Sequence, residues 1–470
     1  NETTAKNFIK NKVNENIREG TRNDTQPDIF YFNFFGKQGK FIFNENKKIL
    51  SLASDNYKFS YQLASDNTLL SFEITDTQGI IYIFSEREYS ETLNVGNTAW
   101  EFLISRSLRK RKLDYFSSWH LKSVITPNHR IINLEYDDES IKYKIRGAVM
   151  GKICETAQCE DTNITNTDNR DVLNQTNGTG TEYVISSKKI KKISSSNLFE
   201  INFNNTIRQD LEGGKKLSSI SIQDMFGKEI KKFDFNYSYF ISPNMHRSNN
   251  YETKRLKLDK INLNNQFYQE FEYYENYALP NRNSTEQDYW GYYNKNGATS
   301  LVPRVYMENN QQPYKYHVFQ PLNTSYNTYG QINRNVDENY IHMGMLKMIK
   351  YQTRGTKKFF YEPNDFTHPT YTNSTIPSLK GNGVRLQKVE YFDGVNTEAL
   401  NYDYKNPKTG VSSGKVSYLP QFATHIPWNF VYDFYDTDFA IISPNNIYMA
   451  RREYFYDHNT NSYHDCLRYN

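Results

Sequence analysis

The sequence predicts an all-β protein built from repeated antiparallel hairpins, with few helices. The first reason is a two-strand unit that recurs along the chain: an apolar-Lys-x-apolar strand, a polar or Gly turn, then a strand ending in Tyr. It reads Leu346-Lys-Met-Ile-Lys-Tyr351, a turn at Arg354-Gly355, then Phe359-Phe-Tyr361, and again Val384 to Tyr391, Asp393-Gly394, then Leu400 to Tyr404. Earlier copies are Leu256 to Ile261 with Phe271-Glu-Tyr273, Leu217 to Ile222 with Phe233 to Tyr237, and Leu121 to Val124 with Ile132 to Tyr136. Repetition of one such unit implies stacking, because a lone hairpin cannot bury its apolar face until a neighbour covers it. The second reason is composition. There are 39 Tyr and 30 Phe in 470 residues, yet the hydrophobic fraction is 37% and the mean hydropathy is −0.82. Aromatic residues suit pleated surfaces, and Tyr buries a ring while its hydroxyl stays wet. The third is the Asn, Asp, Ser and Gly crowded between the strands, which supply turn chemistry.

In chain order, residues 1–26 are a polar lead-in. The region 27–154 reads as an N-terminal set of β-hairpins. Its first pair is Ile29 to Phe35 and Lys40 to Phe43 around a turn at Gly36 to Gly39; the next is Leu69 to Ile74 and Ile81 to Phe84; a third runs from Trp119 to Tyr136 with Pro127-Asn128 as its turn. Residues 155–182 are rich in Asn, Thr, Asp and Gly, with too little apolar surface to offset their ordering entropy, and read as an exposed loop. A middle β region spans 183–302. The stretch 303–343 reads as irregular chain lying over the sheet surface, and 344–470 as further hairpins continuing a longer structure.

Lys+Arg at 57 against Asp+Glu at 53 leaves a net charge of +4, spread along the chain. That balance does not indicate nucleic acid as a partner. The dense basic run Arg106 to Lys112 reads as a solvated strand end. Three cysteines cannot make a disulfide framework. Cys154 and Cys159 share one polar loop and are expected to pair, a hint of an oxidising, extracytoplasmic location. No zinc-ribbon spacing exists. No apolar run reaches the roughly 18 residues of a transmembrane helix, and no signal-peptide pattern opens the sequence, so the chain reads as a mature or ordered portion of something longer.

Nucleophile-elbow, His-Glu-x-x-His, phosphate-loop and dinucleotide patterns are all missing. His120, His129, His246 and His342 are scattered, so no catalytic, cofactor or metal residues are assigned. The most unusual local run is Asp288-Tyr289-Trp290-Gly291-Tyr292-Tyr293-Asn294. Its rings, carboxylate and carboxamide match a sugar-stacking platform. The same residues equally describe core anchors at a strand-to-turn junction, with Gly291 permitting close backbone approach, and this second reading is preferred.

These runs, together with Gly383-Val-Arg-Leu-Gln-Lys-Val389, Ser412-Ser-Gly-Lys415 and Pro27 to Gly36, resemble the large secreted RHS (YD-repeat) related proteins of Bacteroidetes-type bacteria, over residues ~27 to ~460. Two departures fall on tight turns: Thr353-Arg-Gly355 stands for the usual Thr-Gly-Gly, and Gly381-Asn-Gly383 for a double Gly. The resemblance implies a β-sheet spiralling into a shell, no catalytic residues within it, and export across the envelope, in such bacteria often by type IX machinery. Some relatives carry a self-cleaving aspartyl site beyond the shell, for which these residues offer no candidate. The expected function is therefore a non-enzymatic extracellular or outer-membrane-surface scaffold that encloses or displays another envelope or secreted protein. A glycan-binding surface module is the alternative, and an enzyme such as a glycosidase is the least supported.

Overall fold

A computed structural model describes residues 28–52, 56–95, 113–145, 151–154, 180–196, 198–243, 250–308, 315–330, 332–416 and short segments between 419 and 469. In chain order the strands are β1 (Ile29–Phe34), β2 (Lys37–Phe43), β3 (Ile49–Ser51), β4 (Lys58–Leu63), β5 (Leu69–Thr75), β6 (Ile81–Val95), β7 (Leu113–Ile125), β8 (Ile131–Ile145), β9 (Gly151–Cys154), β10 (Gly180–Ser195), β11 (Phe199–Ile207), β12 (Lys215–Asp224) and β13 (Glu229–Ile241). A single turn of helix, α1 (Asn250–Thr253), precedes β14 (Lys254–Leu263) and β15 (Gln266–Tyr273). Then come β16 (Val305–Glu308), β17 (Tyr316–His317), β18 (Tyr326–Tyr329), β19 (Leu346–Tyr351), β20 (Thr356–Phe366), β21 (Leu379–Phe392) and β22 (Thr397–Asn401). The protein is all-β, as the sequence predicts.

Fifteen of these strands make one antiparallel sheet in the order β22-β21-β20-β19-β15-β14-β13-β12-β11-β10-β8-β7-β6-β5-β4. Neighbours in the sheet are almost everywhere neighbours in sequence, so the sheet is a chain of hairpins. Both leading copies of the repeat are antiparallel pairs: Ile349 opposes Lys357 in β19–β20, and Val389 opposes Leu400 in β21–β22. The earlier copies form β14–β15, β12–β13 and β7–β8. One place departs from a simple ribbon. Residues 181–186 of β10 pair with β8 on one edge and with β6 on the other, so β6, β7, β8 and β10 close a cycle. Strong right-handed twist and bulges such as those of β6–β7 bend strands toward closure of this kind.

The repeat has a physical latch. In four of the five copies the repeat's closing Tyr donates its hydroxyl hydrogen to a Leu carbonyl on the first strand: Tyr136 to Leu121 at 2.7 Å, Tyr273 to Leu258 at 2.8 Å, Tyr361 to Leu346 at 2.9 Å and Tyr404 to Leu386 at 2.8 Å. The separation is 15 residues in the first three and 18 in the last. A half-buried ring supplies apolar contact, while the hydroxyl satisfies a carbonyl. This is why the unit needs Tyr at its end rather than Phe.

At the N-terminal end, the three-stranded sheet β1-β2-β3 lies on β4 to β8 over a core of Phe32, Phe41, Leu69, Phe72, Ile74, Tyr82, Phe84, Leu121, Val124 and Leu134. Phe30 stacks on Phe41 and Phe72 on Phe84, with ring centroids 5.0 and 4.7 Å apart, so the aromatic richness of the sequence is spent here on packing. The first hairpin turns at Phe35-Gly36, both at positive φ, rather than over Gly36 to Gly39. Phe34 already pairs with Lys37, which gives the two-residue turn that matches strand twist. The departures within the repeat use the same device, with Arg354 at φ 68° and Asn382 at φ 64°.

The stretch 303–343 is largely irregular, but it does more than cover the surface. It contributes the small sheet β17-β16-β18 and buries Val305, Met307, Val318, Phe319, Ile341 and Met343, apolar residues spaced too sparsely to signal a strand. The lead-in 1–26, the basic run Arg106 to Lys112, His246 and most of 155–182 lie outside the described residues, although 180–182 already belong to β10. So does Cys159; Cys154 ends β9 directly opposite Cys466 of a C-terminal strand, Cys466–Tyr469. No described helix is long and apolar enough to cross a membrane.

Candidate functional site

The run 288–294 lies in the long connection between β15 and β19. It folds as a tight loop closed by the bridge Gln287 to Tyr293. Asp288 organises it: one carboxylate oxygen accepts the N–H of Trp290 at 2.8 Å and of Tyr292 at 2.9 Å, and its own N–H donates to the Tyr292 carbonyl at 2.7 Å. Gly291 sits at φ 93°, where a side chain would be strained. Asp288 is fully buried. Its second oxygen, Oδ2, has no hydrogen-bond partner among the described residues, and burial pushes its pKa up against the pull of the backbone N–H groups. Arg334 straps the loop from outside, donating to the carbonyls of Gln287, Leu301 and Asp288 at 3.1, 2.9 and 2.5 Å.

The rings of the loop face protein. Tyr289 is buried, and its hydroxyl donates to the Val318 carbonyl at 2.9 Å; burial drives its pKa far above the usual tyrosine range. Trp290 is half-buried among Tyr289, Phe319 and Phe366, each at 6.2 Å between ring centroids. Its six-membered ring lies so close over Gly381 that a Cβ there would come within 2.1 Å of two ring carbons, and the Tyr292 hydroxyl stands 2.7 Å from where a Gly383 Cβ would be. Gly381 to Gly383 form a bulge in β21, three residues against Asn364 of β20. Asn364 donates to the Asn382 carbonyl at 2.6 Å. Thus two sequence runs about ninety residues apart are matched surfaces: the glycines exist to admit the Trp and Tyr. Asn294 is buried, donating to the Asn335 carbonyl at 3.0 Å. Tyr293 packs edge-on against Tyr340 at 5.6 Å, with its pKa pushed up to about 12 by burial. Of the seven residues, Gly291 and Tyr292 are exposed.

Beside the loop lies a cavity of about 230 Å³ whose lining includes Arg255, Tyr292, Tyr293, Gln287 and Met343. Sequence reasoning did not find Arg255, since one Arg among many on a strand carries no signal.

Two further clusters escaped the sequence reading. His317 bridges Tyr371, whose hydroxyl lies 2.5 Å from Nδ1, and Glu308, 2.9 Å from Nε2. All three are largely buried. Tyr371 is pushed up to about 12 by burial, opposite to what an activated nucleophile or base requires, so the trio ties β16 and β17 to the turn at 371. Ser118, His120 and Glu88 also meet, but Glu88 accepts directly from Ser118 at 2.7 Å and contacts the same His120 nitrogen that faces Ser118. A catalytic triad needs the imidazole between acid and hydroxyl, one nitrogen to each. Among the described residues no group of three His, Cys, Asp or Glu could hold a metal ion.

No protein-family model matches the sequence, and no curated protein matches it. Among solved structures, the N-terminal domain of effector protein SpvB from Salmonella typhimurium strain LT2 aligns with 51% of this chain and 74% of its own length, at 9% identity and a TM-score of 0.22. A likeness that low carries no argument about function.

Proposed function

We propose that the chain is a non-enzymatic β scaffold of an extracellular or outer-membrane surface, RHS-like in build, that encloses or displays a partner protein. The observation that carries this reading is the fate of the 288–294 run: its carboxylate and carboxamide tie the 274–345 connection to itself, and its indole packs that connection against Gly381 of β21. The chemistry the sequence offers is thus spent on holding a long continuous sheet together. A sheet of fifteen strands supplies extended surface, which suits wrapping or display more than turnover. Export, including by type IX machinery, rests on the sequence resemblance alone.

The glycan-binding alternative draws its support from exposed Tyr292, 41% accessible beside the cavity. The test is cross-linking of intact cells followed by purification of the protein, alongside protease shaving of the same cells. The scaffold reading expects cleavage without lysis and a stoichiometric cross-linked protein. Cleavage only after lysis, or recovery of the uncross-linked chain alone, overturns it.

A further inference from the structure

The half-buried Arg255 at the foot of β14 has no ion-pair partner among the described residues. Its described hydrogen bond runs from Nη1 to the Ser242 hydroxyl at 3.1 Å, and no ion pair joins it to a carboxylate among the described residues. Its neighbour Arg282 differs: that guanidinium donates to the Tyr251 and Lys254 carbonyls and lies 3.4 Å from Asp210. Asp210 is itself held by Arg208 through two bonds of 2.7 and 2.6 Å, so that carboxylate is already shared. The adjoining segment 244–249, Asn-Met-His-Arg-Ser-Asn, contains no acid that could serve. Desolvation, then the like charge of Arg282, pushes Arg255 down to about 10, which still leaves it cationic at neutral pH. Burying such a charge unpaired is costly, and an incoming anion relieves the cost.

Arg255 lines the cavity of about 230 Å³ described above. Leu279, Ile341, Met343 and Tyr293 give it an apolar wall, and the amides of Asn281 and Gln287 add polar groups. Glu286 also lines it, with Oε1 accepting from the Gly297 N–H at 3.1 Å. Exposed Gly291 and Tyr292 in the lining mean that the cavity reaches solvent. Its volume is below the ~300–1,000 Å³ of drug-sized sites, enough for one terminal residue and no more. A guanidinium forks onto a carboxylate in a bidentate pair, and aliphatic walls take an apolar side chain; the two amides are engaged by Ser284, Asn283 and Glu252 and shape the polar rim. We propose that this cavity captures the C-terminal carboxylate of a partner polypeptide whose last residue is apolar. The proposal rests on the scaffold reading for the partner's class. A sugar acid would share the carboxylate but would meet aliphatic wall where its hydroxyls need partners.

The experiment is fluorescence anisotropy on the intact chain with N-terminally labelled Gly-Gly-Leu, as free acid and as C-terminal amide, with glucuronate as competitor. The free acid is expected to bind at least tenfold more tightly than the amide, glucuronate to displace it poorly, and Arg255→Gln to lose at least tenfold while Arg255→Lys retains part. Equal binding of acid and amide, no binding of either, or preference for glucuronate overturns the proposal. If Arg255→Gln fails to fold by near-ultraviolet circular dichroism, the acid and amide comparison on the unaltered protein decides alone. Partner cross-linking that persists while the peptide does not bind would sink this pocket and leave the scaffold reading standing.

Discussion

Replacing Tyr361 by Phe removes one oxygen and the 2.9 Å bond it makes to the Leu346 carbonyl, while the ring keeps its edge-on contact with Tyr274 at 6.0 Å. A neutral hydrogen bond is worth about 1 kcal/mol net, and a half-buried carbonyl left unpaired costs up to ~3, so the loss is expected at about 1–2 kcal/mol. Tyr136→Phe removes the 2.7 Å bond to Leu121 in a distant hairpin, and the two losses should add to roughly 2–4 kcal/mol. Tyr391 is 42% exposed on β21, so Tyr391→Phe is the control and should stay within about 0.5 kcal/mol. Urea unfolding reads each change as a lower midpoint at constant slope. A Tyr361→Phe midpoint no lower than that of Tyr391→Phe would refute the latch as the reason for the repeat's terminal Tyr.

Gly381→Ala should destabilise by about 1–3 kcal/mol through overpacking, because the new methyl would strike the Trp290 ring; a thermal melt checks it, and an unshifted midpoint would mean the ring yields freely. Alkaline stability follows from the latch tyrosines. Burial raises the folded pKa of Tyr136 to about 12 and lifts Tyr273 and Tyr361 in the same direction. A raised folded pKa contributes stability that is complete below the unfolded value near 10 and is lost as pH climbs through the folded value. Unfolding midpoints should therefore fall between about pH 10 and 12, and less steeply in the doubly substituted Tyr136→Phe, Tyr361→Phe protein.

The hairpins were legible because their signals are local: alternation, turn residues and a terminal Tyr all lie within some twenty residues of chain. The latch itself was only half visible, since the pattern gives the Tyr but not the carbonyl it reaches. The turn at Phe35-Gly36 was misplaced because a Phe at positive φ breaks the usual turn chemistry. The small sheet β17-β16-β18 was missed because its strands are two to four residues long, below what periodicity can register. The Asp288 loop was conspicuous in sequence, yet its match to Gly381 and Gly383 is tertiary, as are the His317 bridge and the surroundings of Arg255. Each joins residues whose proximity only the folded sheet creates.

The central claim, that the 288–294 aromatics hold the scaffold together rather than bind sugar, is tested most directly by Trp290→Ala, read by thermal and urea unfolding together with a glycan array. Loss of a ring packed on Tyr289, Phe319 and Phe366 is expected to cost about 3–5 kcal/mol, a sharp drop in melting temperature. A variant as stable as the parent to within about 0.5 kcal/mol, with glycan binding present in the parent and abolished in the variant, would contradict the scaffold account in favour of a lectin.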